Sequence, residues 1–383
     1  DYSFCGYMAG EEPLPDLLKD PAVPVIRLTA PQGDATALIQ EAIDFASIQP
    51  KTASGFRAVV LLSEGCYQLE GSLVISSDGV VLRGAGEGTV LLGCGTTRET
   101  LIRIEGSGRQ ILGPELPLAC DYLPVNSVRI PLAEGHGLKP GDEVLITRPS
   151  TQEWIEALGT DRLGLYADYN LPAWKPGDFD LHFHRRVLSA DEGSIEVDVP
   201  LPQSFDSRWG GGYVQACVRP GLVSRVAVEN LTLSSEYERG RECDEDHRWM
   251  AITIDNARDC WVRRVTARHF VSSAVAIWEG GSRISVEECR CLEPVGEIGG
   301  YRRLAFQTFG EQTFFNRCYS EQGYHDFCVG ALAAGPNAFV QCYAAASHSF
   351  SGAIGGWSCG NLFDRVTIEN AKIKLRNLEL DTH

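Results

Sequence analysis

The sequence lacks several features that would place it in a familiar functional class. No apolar run approaches the roughly 18 residues of a transmembrane helix, and no charged-then-apolar leader opens the chain. None of the 13 cysteines forms a CxxC pair or has the Cys/His spacing of a zinc site. Positive charge is also scarce. The formal net charge of −17 argues against nonspecific binding to nucleic acid or to an anionic membrane.

Two apolar columns recur toward the C-terminal end, at steps of 24, 29, 24 and 24 residues. The first column contains Val262, Val286, Phe315, Phe339 and Phe363. The second contains Val265, Cys289, Cys318, Cys342 and Val366. The residues between the columns are mostly charged or polar, as expected where neighbouring side chains take opposite faces of a strand.

This period, with its strand-like residues and regular glycines, favours a parallel β-helix in which each repeat forms one coil. The 383 residues are 44% hydrophobic and include 40 glycines, which suits a large core built from short strands and turns. Because a small thiol packs well in an inward column, we expect Cys289, Cys318 and Cys342 to be free thiols.

The chain divides into three regions. Residues 1–124 contain an irregular start, an amphipathic helix over residues 33–46 that would cover the open end of the first coil, and strand-like stretches that form the early coils. Residues 125–215 contain hairpin-like segments around a stretch rich in Trp, Tyr, Asp and His, which predicts an inserted β subdomain. Residues 216–383 form the main β-helix, with strand character continuing over residues 373–380.

Several segments resemble the pectate-lyase-like and polygalacturonase-like β-helix superfamily. Residues 33–46 resemble its opening helix, and residues 79–89 resemble its early coils. Residues 324–327, 335–342 and 348–357 resemble a pattern of bacterial polysaccharide-degrading members. The resemblance implies a right-handed parallel β-helix and a polysaccharide or oligosaccharide substrate. Without a leader in the sequence, the protein is either cytosolic or has lost a signal peptide, and we predict the second, with a secreted, periplasmic or cell-surface location.

The sequence departs from the hydrolase branch of this superfamily. Polygalacturonase-type members carry Asn-Thr-Asp, Asp-Asp, Gly-His-Gly and Arg-Ile-Lys motifs in that order, and this chain has no Asp-Asp pair. Its Gly135-His136-Gly137 lies at the mouth of the insert, far ahead of the family position, and we interpret it as a loop.

Coil stacking predicts a candidate site, because residues one repeat apart lie about 4.8 Å from each other. Positions four to eight residues after the second column are rich in imidazoles and carboxylates, and the longest repeat adds two arginines suited to a uronate. The predicted catalytic residues are Glu297, His325, Asp326 and His348. The predicted substrate-binding residues are Trp249, His269, Tyr301, Arg302, Arg303 and Trp357. Solvated arginines, a half-buried His269 and tryptophans used for packing are the alternative interpretations.

Three functions stay open at this stage. A lyase needs a base and a positive group, either arginine or Ca²⁺, for which His325 or His348 with Arg302 or Arg303 would serve. A hydrolase needs two carboxylates, of which Glu297 and Asp326 are the best pair. A noncatalytic module would only bind glycans. The density of His and Arg favours a lyase acting on an acidic polysaccharide. No metal site is assigned, since the acidic loop at residues 244–247 reads as a solvated loop rather than a calcium site.

Overall fold

The computed structural model describes residues 1–162, 173–241 and 243–374, and the backbone of residues 165–166 and 169–170. In these residues the chain forms a right-handed parallel β-helix, as the sequence predicts, with three short strands in a complete coil. We call the three resulting surfaces the first, second and third faces, in chain order. No helix in this part of the chain is both long and apolar enough to cross a membrane.

Parallel pairing joins the first and second faces into one 16-stranded sheet, with the third face as a separate eight-stranded sheet. The first face contains Val25–Leu28, Ala58–Leu62, Val80–Gly84, Val223–Ser224, Ser282–Glu287, Thr313–Asn316, Asn337–Val340 and Asn361–Asp364. The second contains Gly65–Leu69, Thr89–Gly93, Arg290–Leu292, Tyr319–Glu321, Tyr343–Ala345 and Thr367–Ile368, and the long strands Ala227–Ser235 and Ala257–Arg268 run through both faces. The third contains Leu73–Ile75, Ile102–Glu105, Ile252–Asp255, Val275–Ile277, Phe306–Thr308, Phe327–Val329, Ser351–Ala353 and Ile373–Lys374.

The two apolar columns lie inside the solenoid. Backbone pairing aligns Val286 with Phe315 and Phe315 with Phe339, and the last two rings stack with centroids 4.5 Å apart. Phe363 and Val366, in the last coil, are only partly buried against this core. The cysteines of the second column are buried free thiols, as predicted: Cys289, Cys318 and Cys342.

Simple strand alternation does not explain why both columns point inward, because residues three apart in a strand take opposite faces. A left-handed residue precedes each member of the second column and bends the chain between the first and second faces. These residues, with φ between 52° and 54°, are Arg264, Glu288, Arg317, Gln341 and Arg365. Each non-glycine residue in this conformation costs about 1–2 kcal/mol. The bend points the next, apolar side chain into the core, and burial of that side chain offsets the cost.

Helix α1, Thr36–Ser47, covers the N-terminal end of the solenoid, as the sequence predicts. Its inward stripe includes Ile39 and Ile43, whereas Leu38 is partly exposed because the apolar arc is wider than the contact. The preceding 3₁₀ turns, Tyr7–Gly10 and Leu17–Lys19, lie against the outside of the first face. At the other end, the strand expected over residues 373–380 is described only as Ile373–Lys374, and its remainder lies outside the described residues.

The chain leaves the solenoid after Ile102–Glu105 and returns at Val223–Ser224. Between them lies a seven-stranded antiparallel sheet with its own apolar core. Its strands are Ile111–Leu112, Leu116–Pro117, Arg129–Pro131, Glu143–Arg148, Leu181–Asp191, Ser194–Val197 and Tyr213–Val218. The pairs Tyr122–Leu123 with Phe205–Asp206 and Leu165–Tyr166 with Tyr169–Asn170, the helix Gln152–Leu158, and the 3₁₀ turns Thr160–Arg162 and Ser207–Trp209 complete the insert. Its first strands precede residue 125, where the sequence analysis places the start of the insert. The sequence does not reveal them, because strands of two residues are too short to show a period.

Loops at two corners of the solenoid carry the candidate functional residues. The histidine corner comprises the loops from the second face to the third, residues 236–241, 243–250, 269–274, 293–305, 322–326 and 346–350. The cleft corner comprises the loops from the third face to the first, residues 278–281, 309–312, 330–336 and 354–360, and the insert leaves the solenoid on this same side.

Candidate functional site

The histidine corner holds most of the side chains that the sequence singles out. These are Trp249, His269, Glu297, Tyr301, Arg302, Arg303, His325, Asp326 and His348. The two loops that carry His325 and His348 are adjacent, since the amide of His348 donates to the carbonyl oxygen of Gly323 at 2.8 Å. Trp357 lies on the cleft corner instead.

The predicted carboxylate pair at this corner does not face one substrate. Asp326 is fully buried, and its two oxygens accept hydrogen bonds from Ser320 Oγ at 2.6 Å and Ser347 Oγ at 2.7 Å. Burial raises the pKa of this carboxyl group, although both hydroxyls act in the opposite direction. The side chain of Glu297 is 64% exposed. The prediction that these two groups act together on a glycosidic bond is therefore corrected, because one of them is sealed inside the coil wall.

The two predicted arginines are held by the protein itself. Arg302 makes a bidentate pair with Glu245, from Nε to Oε1 at 2.6 Å and from Nη2 to Oε2 at 2.9 Å. The hydrogen bond from Arg302 lowers the pKa of Glu245. Arg303 is buried and donates to the carbonyl oxygens of Gly296 at 3.0 Å and Gln322 at 3.3 Å. The predicted uronate clamp is corrected for Arg303, since its guanidinium faces backbone oxygens rather than solvent.

The histidines of this corner differ in the contacts that their rings make with the rest of the protein. His269 lies between Ser234 Oγ at 3.2 Å and Glu293 Oε2 at 2.8 Å. His325 Nδ1 contacts the carbonyl oxygen of Phe350 at 2.6 Å, and its ring packs on that of Phe350. The side chain of His348 is exposed. Structural contacts therefore occupy two of these three imidazoles.

The predicted aromatic residues divide in the same way. The indole of Trp249 donates to the carbonyl oxygen of Glu245 at 3.0 Å and has Arg302 5.5 Å from its ring centroid. Tyr301 is 80% exposed. Trp357 packs edge-on against Trp154 with centroids 4.4 Å apart, so its predicted role in sugar stacking is corrected to packing between the solenoid and the insert.

The acidic loop at residues 244–247 does not suit a calcium ion. Asp244 accepts backbone hydrogen bonds from Glu238 and Asp246, and the carboxylate of Asp246 accepts from Arg98 Nη2 at 2.9 Å. Calcium needs six to eight oxygen ligands, and these oxygens already have donors. The described residues include no group of three or more His, Cys, Asp or Glu side chains that could hold a metal ion.

A cleft of about 400 Å³ separates the insert from the cleft corner. This volume is typical of small-ligand sites. The insert contributes Gln110, Asp178, Asp180, His182, His184 and Arg219, and the solenoid contributes Asn256, Glu279, Phe309, Glu311 and Leu332. We call this space the insert cleft. It combines imidazoles, carboxylates and a guanidinium in one concave site.

Strand alternation brings two histidines of the insert to this cleft. In Leu181–Asp191, Leu181 and Phe183 point into the core of the insert, so His182 and His184 take the opposite face. His182 Nδ1 lies 3.1 Å from Thr147 Oγ1 on the neighbouring strand. This contact fixes the ring, and none of the described residues bonds its Nε2.

The environment of His182 favours a neutral imidazole. Its side chain is in contact with solvent in the cleft, but the surrounding walls remove part of its hydration and lower its pKa below the ordinary 6.5. Asp180 and Glu279 act in the opposite direction without reversing this shift. A neutral histidine with an open ring nitrogen can accept a proton, which is what a general base requires.

His184 has a different role, because both of its ring nitrogens have partners. Nδ1 lies 2.9 Å from Glu311 Oε1, and Nε2 lies 3.1 Å from Gln110 Oε1. Burial alone would raise the pKa of Glu311, but the hydrogen bond from His184 and the charge of Arg185 outweigh it and lower that pKa. The ionised Glu311 thereby joins the solenoid to the insert, with Arg185 Nη1 2.9 Å from its Oε2.

Two further carboxylates approach His182 from opposite walls. Asp180, on the insert, accepts hydrogen bonds at Oδ1 from the amide and hydroxyl of Ser150 at 2.7 Å and 2.8 Å. Glu279, on a solenoid turn, is exposed in the cleft. Both line the same cleft as His182, and their negative charges act to raise its pKa. The cleft therefore presents one hydrogen-bonded carboxylate, one exposed carboxylate and an imidazole to a bound molecule.

The sequence prediction missed this site. The relevant signal was the Asp- and His-rich stretch of the insert, which includes Asp178, Asp180, His182 and His184. Alternation of His182 and His184 with apolar residues was sufficient to place both on one strand face. Glu279 and Arg219 carried no such signal, because the docking of the insert brings them to the cleft.

Comparisons with solved structures identify similar folds. The tailspike gp49 from Pseudomonas phage LKA1 is 13% identical, with a TM-score of 0.51 over 86% of this chain and 52% of the tailspike. A iota-carrageenase complexed to iota-carrageenan fragments is 8% identical, with a TM-score of 0.34 over 91% of this chain and 60% of its own. The alginate lyase from Paenibacillus sp. str. FPU-7 is 9% identical, with a TM-score of 0.32 over 90% of this chain and 99% of its own.

The present chain thus spans about half the length of the phage tailspike. No protein-family model and no curated protein matches the sequence. At this identity, the likeness to the phage tailspike concerns the fold alone and agrees with the β-helix that the sequence predicts.

Proposed function

We propose that the protein is a carbohydrate-active enzyme that hydrolyses a glycosidic bond in the insert cleft. The observation that carries this proposal is that Asp180 from the insert and Glu279 from the solenoid line the same cleft as His182. Glycoside hydrolysis needs one carboxyl group that protonates the leaving oxygen and a second carboxylate that acts as base or nucleophile. The solved structures with this fold, which include a tailspike and a carrageenase, support a polysaccharide as substrate.

The proposed roles follow from the contacts of each group. Asp180 Oδ1 accepts two hydrogen bonds that fix its position, and this suits a base or nucleophile. Glu279 is exposed in the cleft, and we assign it the protonation of the leaving oxygen. His182 would bind a sugar hydroxyl through Nε2 or carry the proton between the two carboxylates.

A lyase is the second candidate, favoured by one observation. Burial lowers the pKa of His182, and Arg219, whose side chain is 7% exposed, lines the same cleft. Elimination from a uronate needs such a base and a positive group at the carboxylate. Against it, Asp178, Asp180 and Glu279 outnumber Arg219 in this cleft, which would repel the carboxylate of a uronate at the reacting sugar.

One experiment separates these functions. The protein is incubated with neutral, sulfated and uronate-containing polysaccharides, and reducing ends are measured together with the ultraviolet absorbance of a new C4–C5 double bond. Reducing ends without absorbance are expected. Absorbance with reducing ends would replace hydrolysis by elimination. Tight binding without either product would indicate that the protein is a noncatalytic glycan-binding module. A secreted or surface location stays a prediction that accompanies this proposal.

A further inference from the structure

A second, smaller cavity of about 90 Å³ lies beside the insert cleft, at the same interface between insert and solenoid. His184, Arg219 and Glu311 line both spaces, so the two adjoin. Five guanidinium groups surround the smaller cavity: Arg185, Arg186, Arg219, Arg258 and Arg283. Three carboxylates also line it: Glu143, Asp198 and Glu311. We call it the arginine cavity. Its charged side chains carry an excess of positive charge.

The carboxylates leave part of this positive charge without a partner. Arg258 pairs with Glu143 through Nη1, and Arg185 pairs with Glu311. Arg283 donates through Nε to Asp259 Oδ1 at 2.7 Å, a carboxylate outside the cavity lining, so Arg186 and Arg219 are the arginines without a close ion pair among the described residues. Arg219 Nε lies 3.9 Å from Glu143 Oε2, which is too long for a hydrogen bond. Buried guanidinium groups normally have acceptors, so an unmatched one points to an absent partner.

Buried polar atoms without partners cluster at this cavity. Four atoms of residues that line it are buried and have no hydrogen-bond partner among the described residues: the donors Nε of Arg219, Nε of Arg258 and Oγ of Ser282, and the acceptor Oε1 of Gln312. Ser282 is 3% exposed, and the side chain of Arg219 is 7% exposed. The insert supplies one of these donors and the solenoid two. A cavity of this size has room for several non-hydrogen atoms.

We propose that the arginine cavity binds an oxyanion, namely sulfate, phosphate or a carboxylate, through Arg219, Arg258 and Ser282. Guanidinium groups bind such anions through charge-assisted hydrogen bonds. The anion is either a free ion that joins the insert to the solenoid or an acid group of a glycan in the adjoining cleft. The second source rests on the proposed function, whereas the ion site itself does not.

Inorganic sulfate is the ligand for the test, with chloride at matched ionic strength as the reference. Calorimetric titration of the whole protein is expected to show saturable binding of sulfate or phosphate. Ser282→Ala removes one donor, and Arg219→Lys retains the charge but loses the Nε donor. Each is expected to weaken binding about tenfold, the loss of one charge-assisted hydrogen bond. Arg129→Ala, at a guanidinium 71% exposed on the same inserted sheet, is the matched control and is expected to bind as the wild type does.

Thermal unfolding provides a second readout. Sulfate stabilises proteins in general by exclusion from their surface, so the difference between variants is the measure. A smaller sulfate-dependent rise in Tm for Ser282→Ala than for Arg129→Ala supports the site. Equal rises in both, with no saturable heat in the wild type, would overturn the proposal and leave a cavity filled by water.

Competition distinguishes the two sources of the anion. Sulfated or uronate oligosaccharides that displace sulfate, when neutral oligosaccharides do not, identify the glycan as the source. Sulfate binding that no oligosaccharide affects identifies a free ion. An inactive protein that still binds sulfate would leave this site intact and count only against the proposed hydrolysis.

Discussion

Two corners of the same solenoid carry similar side chains and put them to different uses. At the histidine corner, Arg302 is paired with Glu245, and Asp326 is enclosed by two serines. At the cleft corner, His182 keeps Nε2 open, and Glu279 is exposed on the opposite wall. The density of His, Arg and carboxylates in a sequence therefore does not define a site. A second structural unit must enclose those groups and leave some of their polar atoms without protein partners.

The largest expected difference between the corners is in turnover. Glu279→Gln and Asp180→Asn each keep the shape of the side chain but remove its acid–base function. Each is expected to lower kcat about 10²–10⁴-fold on the substrate that the polysaccharide panel identifies. Thermal unfolding should stay within a few degrees of the wild type for Glu279→Gln, because that side chain is exposed.

The matched variant at the histidine corner is His325→Ala. Its ring contacts the backbone of Phe350 and is expected to contribute to loop packing rather than to turnover. If His325→Ala abolished turnover while Glu279→Gln retained it, the active site would lie at the histidine corner. The assignment of the active site to the insert cleft would then be wrong.

The different success of sequence analysis at these corners has a physical cause. The inward ladder from Val286 to Phe339 could be predicted, because stacking of equivalent residues imposes a period on the sequence. The position of Glu279 beside His182 could not be predicted, because it results from docking of an insert through contacts such as that between Arg185 and Glu311, 126 residues apart. Such contacts have no sequence period.

Two residues of the predicted site are buried, and the sequence does not show this. Asp326 follows the second column at an offset expected for a surface position, and Arg303 lies in the extra segment of the longest repeat, but both side chains are buried. Loop conformation, which depends on left-handed residues and on serine and carbonyl partners, decides burial there. A single sequence does not specify that outcome.

The pH dependence of turnover gives the second prediction. If neutral His182 is needed, kcat/KM should fall as the pH drops through its pKa, which lies below 6.5. His182→Gln, which cannot titrate, should lower the rate on the order of 10²-fold and remove this acidic limb. His348→Gln at the other corner should preserve both the rate and the limb. An unchanged limb in His182→Gln would exclude this histidine as the titrating group.

Stability should respond to pH at the histidine corner, through Asp326. Burial raises the pKa of this carboxyl group above its ordinary 3.8 in the folded protein. The neutral form therefore favours folding. The associated stability is fully present below the ordinary pKa and is lost as the pH rises through the raised folded pKa. Asp326→Asn should flatten the unfolding free energy across that window and stabilise the protein above it, by on the order of 1 kcal/mol.

Ser320→Ala is the companion variant for this measurement. It removes a hydroxyl that donates to the ionised carboxylate, so the loss of stability with rising pH should become steeper. Both variants should retain turnover, because neither side chain reaches the insert cleft. Denaturant titrations at several pH values measure the effect. Identical pH profiles for wild type and Asp326→Asn would contradict the account of this buried carboxyl group.

The smallest expected effect concerns Arg302, the residue that most resembles a substrate clamp in the sequence. Its pair with Glu245 is partly exposed, with the arginine side chain 27% and the glutamate side chain 13% accessible. Arg302→Ala should therefore cost about 0.5–1 kcal/mol of unfolding free energy. Arg302→Lys should cost part of this, because lysine retains the charge but not the bidentate geometry. Trp249 fluorescence should report the loss, since the guanidinium lies 5.5 Å from the centroid of that ring.

Steady-state kinetics of the same variants decide what Arg302 does. A guanidinium already engaged by Glu245 has little binding capacity left for a uronate, because a second carboxylate would have to displace the first. KM is therefore expected to stay within about twofold for Arg302→Ala, the range of a side chain without a substrate contact. A KM raised more than about tenfold on an acidic polysaccharide, with kcat and Tm unchanged, would show lost uniform binding. That result would indicate that the substrate binds at the histidine corner, because only direct contact with Arg302 explains a change in KM alone.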